Sequence, residues 1–333
     1  AAIHSLEEGR TSYTSNRGMS DLRELISDYS RRWGHEYDPD TEVLVTTGAS
    51  EAVDLALRTF VSPGETVAIH QPNYISYRPG IEFAGGEPLG VTTSADNDFA
   101  LTPAALRAAG ADEADLLVLC YPNNPTGAVM DADEIRAVAE FCVDNDIDVI
   151  ADEIYAALTY EGDHTSIASM PGMRERTIVI NGFSKAYAMT GLRLGYALGP
   201  AEAIASMNRV HQYTMLSAPT TAQFAAIEAL RSCEDAVTEM ATEYNRRRRF
   251  VLSRFEEMGL DCFRSRGAFY AFPECGGDDQ AFAEDLLEAE GVAVVPGSVF
   301  GEGGEGHLRV SYATGMRELK TAMNRLETFY RNR

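Results

Sequence analysis

Short apolar runs alternate with amphipathic stretches along most of this chain. Residues 42–47 read as a strand, and Gly48 starts a turn into a stretch, 51–60, with apolar positions at helical spacing. Residues 66–70, 116–120, 148–151 and 177–181 are further strand-length apolar runs, and 133–145 is an amphipathic helix. Continuous apolar strands separated by helices predict a mainly parallel α/β sheet covered on both faces. On such sheets, ligands sit beyond the carboxyl ends of the strands. Gly48, Tyr74, Asn124, Asp152 and Lys185 all follow predicted strands.

The pattern changes after residue 233. A long charged helix is predicted over 233–258, then an extended segment at 267–272, a helix at 280–290 and another extended segment at 291–296. A glycine-rich loop leads to the run 307–312 and a last helix. A length of 333 residues is long for one core. We therefore expect a large domain over 1–240 and a smaller α+β domain over 241–333. No internal repeat or low-complexity linker is visible. The chain opens inside helical sequence, 1–8, without a cap or an initiating methionine, so a further N-terminal segment is expected.

Charge narrows the partners. The formal net charge is -23, from 51 acidic residues against 28 Lys and Arg. Such a surface repels a phosphate backbone, so no nucleic-acid partner is expected. The basic run 246–249 reads as the solvated face of the long charged helix. No apolar run approaches a membrane span and no signal peptide is visible, so no membrane partner and a cytoplasmic location are expected. Five cysteines without a C-x-x-C pair suit a reducing interior, and no cluster has metal-ligand spacing. Acidic excess with arginine in place of lysine resembles proteins of salt-loving organisms, where self-repulsion is screened over about 3 Å at 1 M salt.

The scarcity of lysine singles out one residue. Lys185 and Lys320 are the only lysines, and Lys185 follows Ser184 and precedes Arg193 within 181–195, N-G-F-S-K-A-Y-A-M-T-G-L-R-L-G. An amine loses its proton when desolvated and condenses with a carbonyl, which a guanidinium does not do. Asp152 opens D-E-I-Y at a strand end. A buried carboxylate there needs a cationic partner such as a protonated ring nitrogen, and Tyr155 could reach the same ligand. The alternative is that Asp152 caps a helix. In N-N-P-T-G, 123–127, the Asn124 amide could donate to a ligand oxygen, or the segment is a plain turn. Gly48, Ala49 and Ser50 stand at a strand-to-helix turn. There the exposed N–H groups make an anion site, unless the turn is only a cap. It is not a Walker A loop, because no G-x-x-x-x-G-K-[ST] occurs.

Taken in order, G-A-S-E-A (48–52), P-x-Y (72–74), N-N-P-T-G, D-E-I-Y, S-K-A-Y-A-M-T-G-L-R-L-G and R-V-S-Y-A (309–313) resemble the class I/II aminotransferases. These are pyridoxal 5'-phosphate enzymes of fold type I, and the match is to the aspartate aminotransferase-like branch. The resemblance runs from about Tyr13 to the C-terminal helix. It implies a mainly parallel seven-stranded sheet and a ping-pong transfer between an L-amino acid and a 2-oxo acid. Related β-eliminating C–S lyases and synthases share the core motifs.

The resemblance also implies roles. Lys185 would bind the cofactor covalently and then carry the proton at the substrate Cα. Asp152 would pair with the ring nitrogen, Tyr155 and Asn124 with the ring hydroxyl, and Tyr74 would stack on the ring. Gly48, Ala49, Ser50, Ser184 and Arg193 would form the phosphate site. Tyr13 would reach the phosphate of a neighbouring subunit, implying a homodimer. Arg309, with Asn124 beside it, would clamp the substrate carboxylate. Residues 210–219 hold no arginine to meet a side-chain carboxylate, and Tyr213 stands there instead.

Overall fold

The computed structural model describes residues 1–332. Strands β1 (Val43–Thr46), β2 (Thr66–Gln71), β3 (Glu87–Thr92), β4 (Leu116–Cys120), β5 (Asp148–Asp152), β6 (Thr177–Gly182) and β7 (Gly195–Leu198) form one sheet. Their order is β1-β7-β6-β5-β4-β2-β3. β2, β3, β4, β5 and β6 pair in parallel, and β7 runs antiparallel to both its neighbours, β6 and β1. The sheet is thus seven-stranded and mainly parallel, as in fold type I. Sequence periodicity overlooked β3 and β7. β3 reads E-P-L-G-V-T and lies at the sheet edge, half exposed, so it never needed an apolar run. β7 is only four residues long and directly follows the lysine motif.

Helices cover both faces, and the alternation of side chains along each strand decides which residues meet which helix. The helices before the second sheet are α1 (Ala2–Glu7), α2 (Ser20–Ser30), α3 (Ala49–Phe60), α4 (Tyr77–Ala84), α5 (Pro103–Ala109), α6 (Ala132–Asp144), α7 (Ala201–Thr214) and α8 (Thr220–Ser232). Leu117, Leu119, Val149 and Ala151 pack with residues of α5 and α6. Val43, Val45 and Val179 pack with Leu22 and Ile26 of α2 and Ala222 and Ala226 of α8. Residues of the opposite parity, Leu116, Val118, Cys120, Ile150 and Ile180, pack with α3, α4 and α7. Each fully buried aliphatic side chain contributes about 1.5–3 kcal/mol, so both faces are held firmly. Helix boundaries follow local signals. Asp131 and Glu134 form a reciprocal capping box at the start of α6, and Thr102 caps α5 with Pro103 at its first position.

A second, antiparallel sheet has the order β8-β10-β9, from β8 (Tyr270–Ala271), β9 (Val295–Pro296) and β10 (Leu308–Ser311). It packs with α9 (Glu234–Met258), α10 (Asp279–Glu290) and α11 (Met316–Asn332) around Phe255, Phe282, Leu286, Leu308 and Met323. The long helix α9 serves both cores: Met240 and Ala241 pack near Tyr155, while Val251 and Phe255 pack under the second sheet. Among the described residues, no helix is long and apolar enough to cross a membrane.

The basic run 246–249 is not uniformly solvated, contrary to the sequence expectation. Arg246 and Arg247 pair with Glu243 on the same helix, but Arg248 is only 1% exposed. Its guanidinium donates to the Ser265 carbonyl at 2.6 Å, to Asn245 Oδ1 at 3.0 Å and to Glu161. The helical period turns one arginine of the four inward, where its planar fork ties α9 to two loops. Arg248→Ala is expected to destabilise the chain by about 2–4 kcal/mol, through lost packing and an orphaned buried carbonyl. A denaturant midpoint unchanged from the parent chain would contradict this.

Candidate active site

Five strands deliver candidate groups to one end of the sheet. β1 ends just before Gly48, β2 before Tyr74, β4 before Asn124, β5 at Asp152, and β6 before Ser184 and Lys185. The second sheet supplies Arg309 on β10 and Tyr270 on β8. These segments enclose a cavity of about 730 Å³, lined by Ala49, Ser50, Tyr74, Asn124, Asp152, Tyr155, Ser184, Lys185, Arg193 and Arg309, among others. Ten of the twelve residues singled out in the sequence therefore share one cavity. Gly48 lies immediately behind it as the residue capping α3. Tyr13 does not line it and is 82% exposed.

Asp152 is the end residue of β5, not the cap of an α-helix; the next helical turn is a short 3-10 turn at Ala156–Leu158. It pairs in register with Cys120, and both share the parity that faces α3 and α4. Its Oδ2 accepts a hydrogen bond from the Tyr77 hydroxyl at 2.8 Å, and its Oδ1 accepts from the Ile154 N–H at 3.2 Å. Burial pushes the Asp152 carboxyl above its ordinary value, opposed by the Tyr77 and Ile154 donors and by the charge of Lys185. The adjacent Glu153 has the opposite parity. It lies 3.1 Å from His164 Nε2 and accepts from Ser166 Oγ at 2.6 Å, away from the cavity.

Lys185 stands between aromatic faces, with Nζ 5.6 Å from the Tyr155 ring centre and 5.5 Å from that of Phe269. Burial lowers its pKa from the ordinary lysine value. Asp152 pulls it back up, and Arg309 and Arg193 add to the lowering. Tyr155 Oη is 2.9 Å from Tyr270 Oη, and burial holds the Tyr155 hydroxyl protonated well above its ordinary range. Arg309 Nη1 donates to Asn124 Oδ1 at 2.9 Å, and its guanidinium stacks on Tyr270 and Phe300, 4.8 and 4.9 Å from their centres. Arg309 Nε is buried without a partner, so the fork has a donor left to offer. The Asn124 amide oxygen is spoken for, which leaves its NH₂ group for a ligand.

One side of the cavity is the start of α3. Gly48 has no side chain to cap the helix, so its first N–H groups remain directed outward. Its φ of +80° suits glycine, and a Cβ there would lie 2.7 Å from Arg193 Nη2. Gly195 is equally constrained: a Cβ would fall 2.4 Å from the Ala49 N atom. The two glycines let β7 and Arg193 close against the helix start. Arg193 is held in turn by the Thr190 carbonyl at 3.0 Å.

Sequence reading missed Tyr77, Tyr270, Phe269, Thr190 and Cys120. Tyr77 left a signal in its i, i+3 spacing from Tyr74 at a helix start; Thr190 lies within the lysine motif and Cys120 at the end of β4, while Phe269 and Tyr270 come from a distant segment.

The family described as Aminotransferase class I and II matches residues 1–326. YugH of Bacillus subtilis (strain 168), provisionally named an aminotransferase, is 49% identical over 99% of this chain and 86% of that protein. An aspartate aminotransferase of Pyrococcus abyssi is 41% identical over 100% of this chain and 87% of its own length. The crystal structure of an aromatic aminotransferase from Pyrococcus horikoshii OT3 superposes with a TM-score of 0.97 at 41% identity, covering 99% of this chain and 91% of that one.

Proposed function

The chain belongs to the class I and II aminotransferases and is itself an aminotransferase; from that premise we propose that it transfers an amino group from an L-amino acid to a 2-oxo acid by a ping-pong route, using pyridoxal 5'-phosphate. The observation that carries this reading is one cavity holding a desolvated amine, Lys185, a buried carboxylate, Asp152, and an under-bonded guanidinium, Arg309.

The donor set fits the cofactor. Asp152 is a buried acid in want of a cationic partner, which a protonated ring nitrogen is. The uncapped start of α3 with Ser50, Ser184 and Arg193 fits a phosphate dianion. Tyr74, partly buried at the cavity wall, offers a ring face. When bound, pyridoxal phosphate supplies an aldehyde for amines and a ring that accepts the electrons left at the substrate Cα. Lys185 would bind the cofactor aldehyde, and its amine would take the proton from the substrate Cα and later return one. Its lowered pKa keeps more of it unprotonated near neutral pH, the form that accepts a proton. Asp152 would pair with the protonated ring nitrogen. Tyr155 and the Asn124 NH₂ group donate towards the ring hydroxyl. Arg309 binds the substrate α-carboxylate through its fork and keeps it in register with Lys185.

A homodimer completes this picture. Tyr13 is exposed and away from its own cavity, and the exposed Ile75 and Phe83 line the outer part of the cavity. A second copy covering that face would bring its Tyr13 to the phosphate end.

Arg309→Leu is expected to raise KM for both amino acid and 2-oxo acid by roughly 10- to 150-fold, the range of a charge-assisted hydrogen-bonded pair. Arg309→Lys should fall between, since it keeps charge but loses the fork. Unchanged KM values would remove Arg309 from the substrate site. The overall reading is tested by screening amino donors with 2-oxoglutarate at low and high salt, following loss of the 2-oxo acid. Activity that rises with salt would agree with the acidic surface. Pyruvate and ammonia released without an acceptor would favour β-elimination instead.

A further inference from the structure

We propose that Tyr77 is a positioning residue for this reaction: its hydroxyl fixes the Asp152 carboxylate while its ring braces Tyr74, so one side chain sets two walls of the cofactor cavity. The inference rests on reading Asp152 as the partner of the cofactor ring nitrogen.

Tyr77 opens α4, and its N–H bonds back to the Tyr74 carbonyl at 3.1 Å, so the two tyrosines are joined by one turn. Their rings meet edge to face at 5.6 Å and 82°. Tyr77 is 1% exposed, and its hydroxyl is aimed at Asp152 Oδ2, 75 residues away in sequence. The parity of β5 makes this contact possible, because Asp152 and Cys120 face α4 together and Glu153 faces away. Of the two donors to Asp152, the Tyr77 bond is shorter than the Ile154 bond, 2.8 against 3.2 Å. Burial and the charge of Asp152 hold the Tyr77 hydroxyl well above its ordinary pKa, so it remains a donor across the working pH range. A donor to the ionised carboxylate lowers the carboxyl pKa, offsetting the upward push of burial. Tyr77 therefore favours the charged form of Asp152 as well as orienting it, without touching the reacting atoms.

The test is a thermodynamic cycle on the full chain: the parent, Tyr77→Phe, Asp152→Asn, the double variant, and Tyr77→Leu in the parent and Asp152→Asn backgrounds. Each apoprotein is titrated with pyridoxal phosphate across acid to neutral pH, reading the absorbance of the bound form. Tyr77→Phe keeps the ring and is expected to weaken binding about 10-fold in the parent but less than about 2-fold beside Asp152→Asn. Its acid limb of binding should move to higher pH, because the carboxylate loses the donor that favours its charged form. Tyr77→Leu, which also removes the brace on Tyr74, should weaken binding further, and should do so in both backgrounds. Equal losses for Tyr77→Phe in both backgrounds, or an unmoved acid limb, would overturn the carboxylate role. Tyr77→Leu matching Tyr77→Phe would overturn the brace. A parent chain that fails to bind pyridoxal phosphate, or an Asp152→Asn chain that binds it as well as the parent, would instead sink the reading of Asp152, and the inference with it.

Discussion

Lys185→Ala is expected to lower turnover by at least about 10⁴-fold and to abolish the pyridoxyl adduct that borohydride reduction traps in the parent chain. Two contributions are lost at once. An amine that takes and returns the proton at the substrate Cα would supply about 10²–10⁴-fold by itself, and the covalent anchoring of the cofactor aldehyde would go with it. The site favours this amine because burial between Tyr155 and Phe269 pulls its pKa down. A lowered pKa leaves a larger unprotonated fraction at any pH near neutrality, and only that fraction attacks a carbonyl. The chain carries its own control. Lys320, the other lysine, is exposed on α11. Peptide mapping after reduction should find the adduct at position 185 and not at 320. An adduct confined to Lys320, or normal turnover in Lys185→Ala, would end the assignment.

Asp152→Asn should have the next largest effect, a fall in kcat of about 10²–10³-fold, the magnitude seen when one fixed electrostatic stabiliser is removed. The substitution is nearly isosteric, and the amide oxygen can still accept from Tyr77 or Ile154, so the cavity walls should stand. What disappears is the negative charge that would face the cofactor ring. Stability of the apoprotein should not fall, since a buried charge near few cations is replaced by a neutral group. A stopped-flow measurement of the first half-reaction separates this from a binding defect: the rate at saturating amino acid should drop. A rate within about 3-fold of the parent would show that the Asp152 charge is not used.

Much of this site lay open in the chain before folding. Lys185 stood out because lysine is nearly absent elsewhere, and Asp152, Asn124 and Gly48 stood out because each closes an apolar strand run. Strands such as Leu116–Cys120 and helices such as α6 were recovered because both faces of a parallel sheet demand unbroken apolar runs, while capping chemistry marks helix starts. Arg248 was misread for the opposite reason. Four consecutive arginines look alike in sequence, and only the rotation of α9 against the loops at Glu161 and Ser265 turns one of them inward.

Local chemistry along the chain determined the alternating architecture, the aminotransferase motifs and which individual residues carry reactive groups, because periodicity, caps and residue type act over a few positions. Only the tertiary structure decided how those groups are supported: Tyr77 on Asp152 across 75 residues, Tyr270 on Tyr155 across 115, and Arg309 on Asn124 across 185. Such partners are chosen by strand parity and by where one sheet is seated against another, and neither leaves a mark on neighbouring residues.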